Sequence, residues 1–167
     1  MSDEFRVLPV VFRGAGQFGD FFWMRDQPEY ARALFVFNDN EEQFVAFEGG
    51  EPSGFRAGGG NAGVRPWRGE TPPRAAGIPT GRGGVGYSEV DDRVLAVLER
   101  ALEIVHDLVD TGRYDTLVFS GDPNRQMLGV SIFRPHPDFC HLVYQALSTV
   151  RPGGPRWRSG GTVSPYP

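Results

Sequence analysis

Two short apolar runs constrain this chain more than any other feature. Ala33 to Asn38 reads ALFVFN and stops at Asn38-Asp39-Asn40; Tyr114 to Phe119 reads YDTLVF and stops at Ser120-Gly121-Asp122-Pro123. A short unbroken apolar run suits a strand covered on both faces, as in parallel sheets packed between helices. Phe5 to Phe12 (FRVLPVVF) predicts a first strand, and Pro9, which has no ladder donor, assigns it to a sheet edge or a bulge. Leu128 to Phe133 (LGVSIF) reads as a further strand or strand entry.

Helical periodicity supplies the covering layers. From Glu89 to Thr111, Val94, Leu98, Leu102, Val105 and Val109 recur at three- and four-residue spacing, and Val97, Ala101 and Leu108 widen the stripe. Ser88 and Asp91 resemble a capping box at its start, and Gly112 ends it. Pro137 to Val150 predicts a second amphipathic helix, burying Phe139, Leu142, Val143, Ala146 and Leu147. Pro28 admits a short helical turn between Gln27 and Ala33. The alternation defines a single-domain α/β fold over residues 1–150, with a mixed, mostly parallel sheet flanked by helices. Residues 151–167, rich in Pro, Gly and Ser, read as a flexible tail that Trp157 tacks down.

A length of 167 residues suffices for one buried core. No apolar stretch approaches the ~20 residues of a membrane helix, so no membrane partner is expected. The acidic start, Met1-Ser2-Asp3-Glu4, does not read as a secretory signal, and the lone Cys140 cannot form an intrachain disulfide. The cytoplasm is the expected location. A net charge of -4 argues against nucleic-acid binding through bulk electrostatics. Every one of the 17 basic residues is arginine, which grips phosphate bidentately. A GC-rich genome gives the same bias, so it carries little weight.

Residues 49–86 hold 13 of the 23 glycines, densest at Gly58-Gly59-Gly60-Asn61-Ala62-Gly63. Glycine lets backbone amides approach a ligand, and successive amides form a concave anion nest. The alternative is a low-complexity insert, against which stand Val64, Trp67, Ile78 and the rigid Ala76-Gly77-Ile78-Pro79-Thr80. Asn38, Asp39 and Asn40 follow a buried strand, where open α/β sheets bind ligands. Asn both donates and accepts, which suits ribose hydroxyls, although Asn and Asp also favour turns on their own account. Ser120-Gly121-Asp122 ends the other buried run and is expected on the same side of the sheet. His106, His136, His141 and Cys140 show no metal-ligand spacing, and Cys140 and His141 point apart on one helix. Glu41-Glu42 reads as a solvated pair. With no Walker or Rossmann fingerprint, no cofactor is expected.

In chain order, Gly19-Asp20-Phe21-Phe22, then Ala33 to Asn40, then Gly58 to Arg65 resemble the opening blocks of macro domains. Leu128 to Phe133 is similar to that family's second phosphate loop. The pattern FNDN, GGGNA, GIPTG also resembles a macro-like group of bacteria and phages. The resemblance covers about residues 15 to 150. It implies a three-layer macro-like fold that binds ADP-ribose or a related nucleotide. Asp20 would accept from the adenine amine; Gly58, Gly59, Gly60 and Asn61, with Gly129, Val130, Ser131 and Ile132, would present amides to the diphosphate. Asn38 and Asn40 would hold the distal ribose, and Phe133 would pack on it. Ala62 stands where many hydrolytic members carry an acid, and Val130-Ser131 replaces the usual Thr-Gly; both departures favour binding over hydrolysis. Residues 41–57 read as an insertion lengthening the first loop. The rival readings are a hydrolase of ADP-ribose derivatives, with Asn38 or Asp39 orienting water, and a protein-interaction adaptor working through the tail.

Overall fold

The structure, a computed structural model, describes residues 4–129 and 134–159. The strands are β1 (Arg6–Val10), β2 (Ala33–Asp39), β3 (Ala75–Pro79), β4 (Gly81–Arg82), β5 (Val85–Gly86), β6 (Thr116–Asp122) and β7 (Met127–Leu128). The helices are α1 (Phe21–Arg25), α2 (Glu41–Glu48), α3 (Asp92–Asp110) and α4 (Pro137–Ser148). Three stretches, Pro28–Tyr30, Pro52–Phe55 and Gly60–Gly69, are 3-10 helical.

Four strands run parallel in the spatial order β1-β6-β2-β3, and β7 turns back antiparallel on the end of β6. β4 and β5 form a separate hairpin. The two apolar runs thus become the two inner strands, which explains why they lack polar alternation. β1 lies at the edge, where the missing N–H of Pro9 costs no ladder bond.

Side chains alternate across the pleat. Leu34, Val36, Leu117 and Phe119 pack with α2, α3 and α4; Phe35, Phe37 and Val118 pack with α1 and with Val64 of the Gly60–Gly69 turn. The result is the expected three-layer α/β fold with a mixed, mostly parallel sheet. α3 buries Val94, Val97, Leu98, Ala101, Leu102, Val105 and Val109. A fully buried aliphatic side chain contributes about 1.5–3 kcal/mol before entropic costs.

Several boundaries differ from the sequence expectation. α3 begins later than Glu89, because the Asp91 carboxylate caps it, accepting from Val94 N at 2.8 Å. Residues 41–48, expected in a lengthened loop, form α2, capped by Asn40 and anchored by the buried Phe44. Residues 75–79, expected in the glycine-rich loop, form β3 against β2. Its Gly77 is required there, since a Cβ would lie 2.7 Å from Asp39 Oδ2. Of the expected strand 128–133, Leu128 belongs to β7, and residues 130–133 lie outside the described residues.

The segment 151–159 does not hang free. Trp157 is buried in the main core cluster, as its anchoring role required. Arg156 pairs with Glu103, Asp107 and Asp110 of α3 at 2.5, 2.7 and 2.6 Å, and Arg158 reaches Glu103 at 2.6 Å.

Candidate ligand cleft at the strand ends

A cleft of about 540 Å³ crosses the carboxyl ends of the four parallel strands. Because those strands are neighbours, its lining has a spatial order. Val11 and Phe12 follow β1; Ser120 comes from β6; Asn38, Asp39 and Asn40 come from the end of β2; Thr80 follows β3. At about 4.8 Å per strand, the row extends roughly 14 Å. Ala57 to Ala62, Arg65, Gln43 and Gly129 complete the walls.

The glycine-rich wall is held by Asn61, whose side chain is buried. Its Oδ1 accepts from Phe21 N at 3.0 Å, and its Nδ2 donates to Gly19 O at 2.9 Å and Ser120 Oγ at 3.3 Å. One amide therefore ties the loop to α1 and to β6. Gly58 N donates to Ala62 O and Ala62 N to Gly59 O, closing a tight turn. Gly60 sits at φ +55, in the left-handed region that favours glycine. A Cβ on Gly59 would meet nothing within 4 Å. Gly60 and Asn61 open the 3-10 turn, so their N–H groups have no partner within it.

Beneath this wall lies a buried charge cluster. Asp39 Oδ1 takes Arg65 Nε at 3.0 Å and its own neighbour Asn40 N at 2.9 Å; Oδ2 takes Arg68 Nη1 at 2.7 Å. Arg68 Nε and Nη2 also donate to Gly54 O and Gln43 O, at 2.6 and 3.1 Å. Burial lowers the Arg68 pKa and Asp39 partly restores it; the guanidinium stays charged. Arg65 Nη1 donates to Arg56 O at 2.8 Å.

The expected site residues separate into three groups. Asn38, Asn40, Gly58, Gly59, Gly60, Asn61 and Gly129 line the cleft together. Asn38 Nδ2 donates to Gly129 O at 2.6 Å, joining β2 to the residue that follows β7, and Asn40 Oδ1 caps α2 at Gln43 N, 2.9 Å away. Asp39 lines it too, yet its carboxylate is held by two arginines and a backbone amide. That occupation differs from the water-orienting part expected of Asp39. Asp20 is not among the lining residues: its carboxylate accepts from Phe22 N at 3.1 Å and Gly16 N at 2.8 Å, capping α1 and closing the preceding loop. Val130, Ser131, Ile132 and Phe133 lie outside the described residues.

Sequence reasoning missed Phe12, Gln43, Arg65 and Thr80. Gln43 had a signal: Asn40 followed three residues later by Gln43 is a capping-box spacing. Arg65 had none, because an arginine in a 3-10 turn follows no amphipathic period. Among the described residues, no group of three or more His, Cys, Asp or Glu could hold a metal ion. No helix there is long and apolar enough to cross a membrane.

Fold and site define a three-layer α/β protein with a glycine-walled cleft at its strand ends. Compared with known proteins, the chain matches no family model, no curated protein and no solved structure.

Proposed function

We propose that the cleft binds ADP-ribose or a related ADP-ribose-derived nucleotide. The observation that carries this reading is the order of chemistry along the strand ends. An aromatic and apolar end at Phe12 and Val11, after β1, is followed by Ser120 of β6, to which Asn61 of the glycine wall is bonded, and then by an amide and hydroxyl end at Asn38, Asn40 and Thr80. A ligand matching that order carries a base, then phosphates, then a second sugar. Phe12, 41% exposed at the rim, offers a stacking face to the base. The base is assigned to Phe12 rather than to Asp20, whose oxygens serve backbone amides. Glycine amides suit the diphosphate, and Asn38 and Asn40 suit ribose hydroxyls.

Binding is favoured over hydrolysis by the state of Asp39, the one carboxylate among the described lining residues. Its oxygens accept from Arg65 Nε, Asn40 N and Arg68 Nη1, so the carboxylate is committed to protein donors rather than to a water. The adaptor reading loses support because Arg156, Trp157 and Arg158 are engaged by their own chain.

A thermal-shift series with ADP-ribose, ADP, AMP and free ribose tests the reading. A ligand at ~100 times its dissociation constant adds about 2.7 kcal/mol. The expected order is ADP-ribose above ADP and AMP, with ribose inert. No shift with any of the nucleotides removes this function.

A further inference from the structure

We propose that Arg65 is itself a ligand for the anionic group at the glycine wall, making the cleft selective for diphosphate-bearing compounds over uncharged nucleosides. The proposal deepens the reading of the cleft as an ADP-ribose site and rests on it for the ligand's identity.

One carboxylate, Asp39, faces two guanidinium groups, so one positive charge in the cluster is not cancelled. The two arginines are not equivalent. Arg68 is not among the lining residues, and its Nε, Nη1 and Nη2 each donate to Gly54 O, Asp39 or Gln43 O. Arg65 lines the cleft and uses Nε and Nη1; its Nη2 has no hydrogen-bond partner among the described residues. The side chain is only 4% exposed. Among the described residues Nη2 keeps solvent access while the rest of the side chain is buried, so an anion in the cleft can take its unused donors.

Position says what that occupant is. A Cβ built on Gly58 would lie 2.9 Å from Arg65 Nη1 and 3.5 Å from Nη2, so the guanidinium sits directly beside the loop whose amides form the wall. Gly60 and Asn61, whose N–H groups have no partner within the 3-10 turn, and Arg65 with its unpartnered Nη2 all line the same cleft. Guanidinium donors and backbone N–H groups both complement phosphate oxygens. Asp39 is a positioning residue here, fixing Arg65 through Nε while Arg68 offsets its charge.

The test is calorimetric titration of wild type, Arg65→Gln and Arg65→Lys with ADP-ribose, inorganic pyrophosphate and adenosine. Arg65→Gln is expected to weaken ADP-ribose and pyrophosphate by about ten- to a hundredfold, leaving adenosine within about twofold. Arg65→Lys, which keeps the charge and can still pair with Asp39, is expected to fall between. In the wild-type protein, the guanidinium nitrogen-15 signals of Arg65 should move when pyrophosphate is added, a readout independent of variant folding. Unchanged signals, equal affinities, or an equal loss for adenosine would each overturn the proposal. Wild-type binding of ADP-ribose alongside such a result would leave the nucleotide reading standing. Arg65-dependent binding of pyrophosphate without ADP-ribose would remove that reading and keep the anion site.

Discussion

Asp39 Oδ2 lies 2.7 Å from Arg68 Nη1, with the two side chains 0% and 2% exposed. The alternation of β2 is the cause: Phe35, Phe37 and Asp39 share a face, so the strand's last residue points at the Gly60–Gly69 turn. Asp39→Asn leaves two guanidinium groups facing a neutral amide. Breaking a buried pair from one side costs about 3–5 kcal/mol, and urea denaturation should show a loss of that size. A change below 1 kcal/mol would mean that water already screens the cluster.

Asn61→Ala removes the amide that joins the glycine wall to α1 and β6. Phe21 N and Gly19 O lose their side-chain partner in a buried setting, at a cost of roughly 1–3 kcal/mol. Because the same bonds shape the wall, ligand affinity should fall together with the denaturation midpoint. Intact stability with intact binding would show that the loop holds its shape without Asn61.

What the sequence revealed follows from where periodicity exists. The apolar runs at 33–38 and 114–119 became the inner strands, and the stripe from Val94 to Val109 became the buried face of α3. β3 was hidden because Ala75, Ala76 and Gly77 carry little side chain; the space beside Gly77 is taken by Asp39, Phe37 and Arg68. α2 was hidden because its one fully buried anchor is Phe44, too little to mark a stripe. The glycine wall and the strand-end Asn38 and Asn40 were legible, since each has local turn chemistry. Arg65 was not, because its importance comes from Asp39 and Arg68 arriving beside it in three dimensions. Asp20 shows the converse: the resemblance assigned it to the adenine, whereas its carboxylate caps α1.

His106 makes stability depend on pH. It is buried on α3, and among the described residues neither ring nitrogen has a partner. Burial chiefly, then the neighbouring Arg156, hold its pKa below the ordinary 6.5; Arg158 acts the same way, against Asp110 and Glu103. The folded state therefore binds its proton more weakly than the unfolded chain. The associated stability is present above pH 6.5 and is lost progressively as pH falls below that value toward the depressed folded pKa. Glu103 and Asp110 are themselves depressed below 4.5 and 3.8, so they act at lower pH. His106→Leu should flatten the pH dependence of unfolding free energy below pH 6.5 and raise stability at pH 7. An unchanged slope would assign the dependence elsewhere.

Gly59→Glu separates the cleft's ligand from its fold. Gly59 has φ −81, which any residue adopts, and a Cβ there meets no atom within 4 Å. The folding free energy should stay within about 0.5 kcal/mol of wild type, as for surface substitutions free of strain. Binding is another matter, because the new carboxylate stands at the wall assigned to phosphates, where like charges repel. Gly59→Ala keeps the space and adds no charge, so it is expected to bind ADP-ribose nearly as wild type does. Denaturation and calorimetry on the two variants, run at low and high salt, distinguish charge from shape: the Gly59→Glu defect should shrink as salt rises. If Gly59→Glu binds ADP-ribose as tightly as Gly59→Ala at low salt, the phosphates do not lie at this loop.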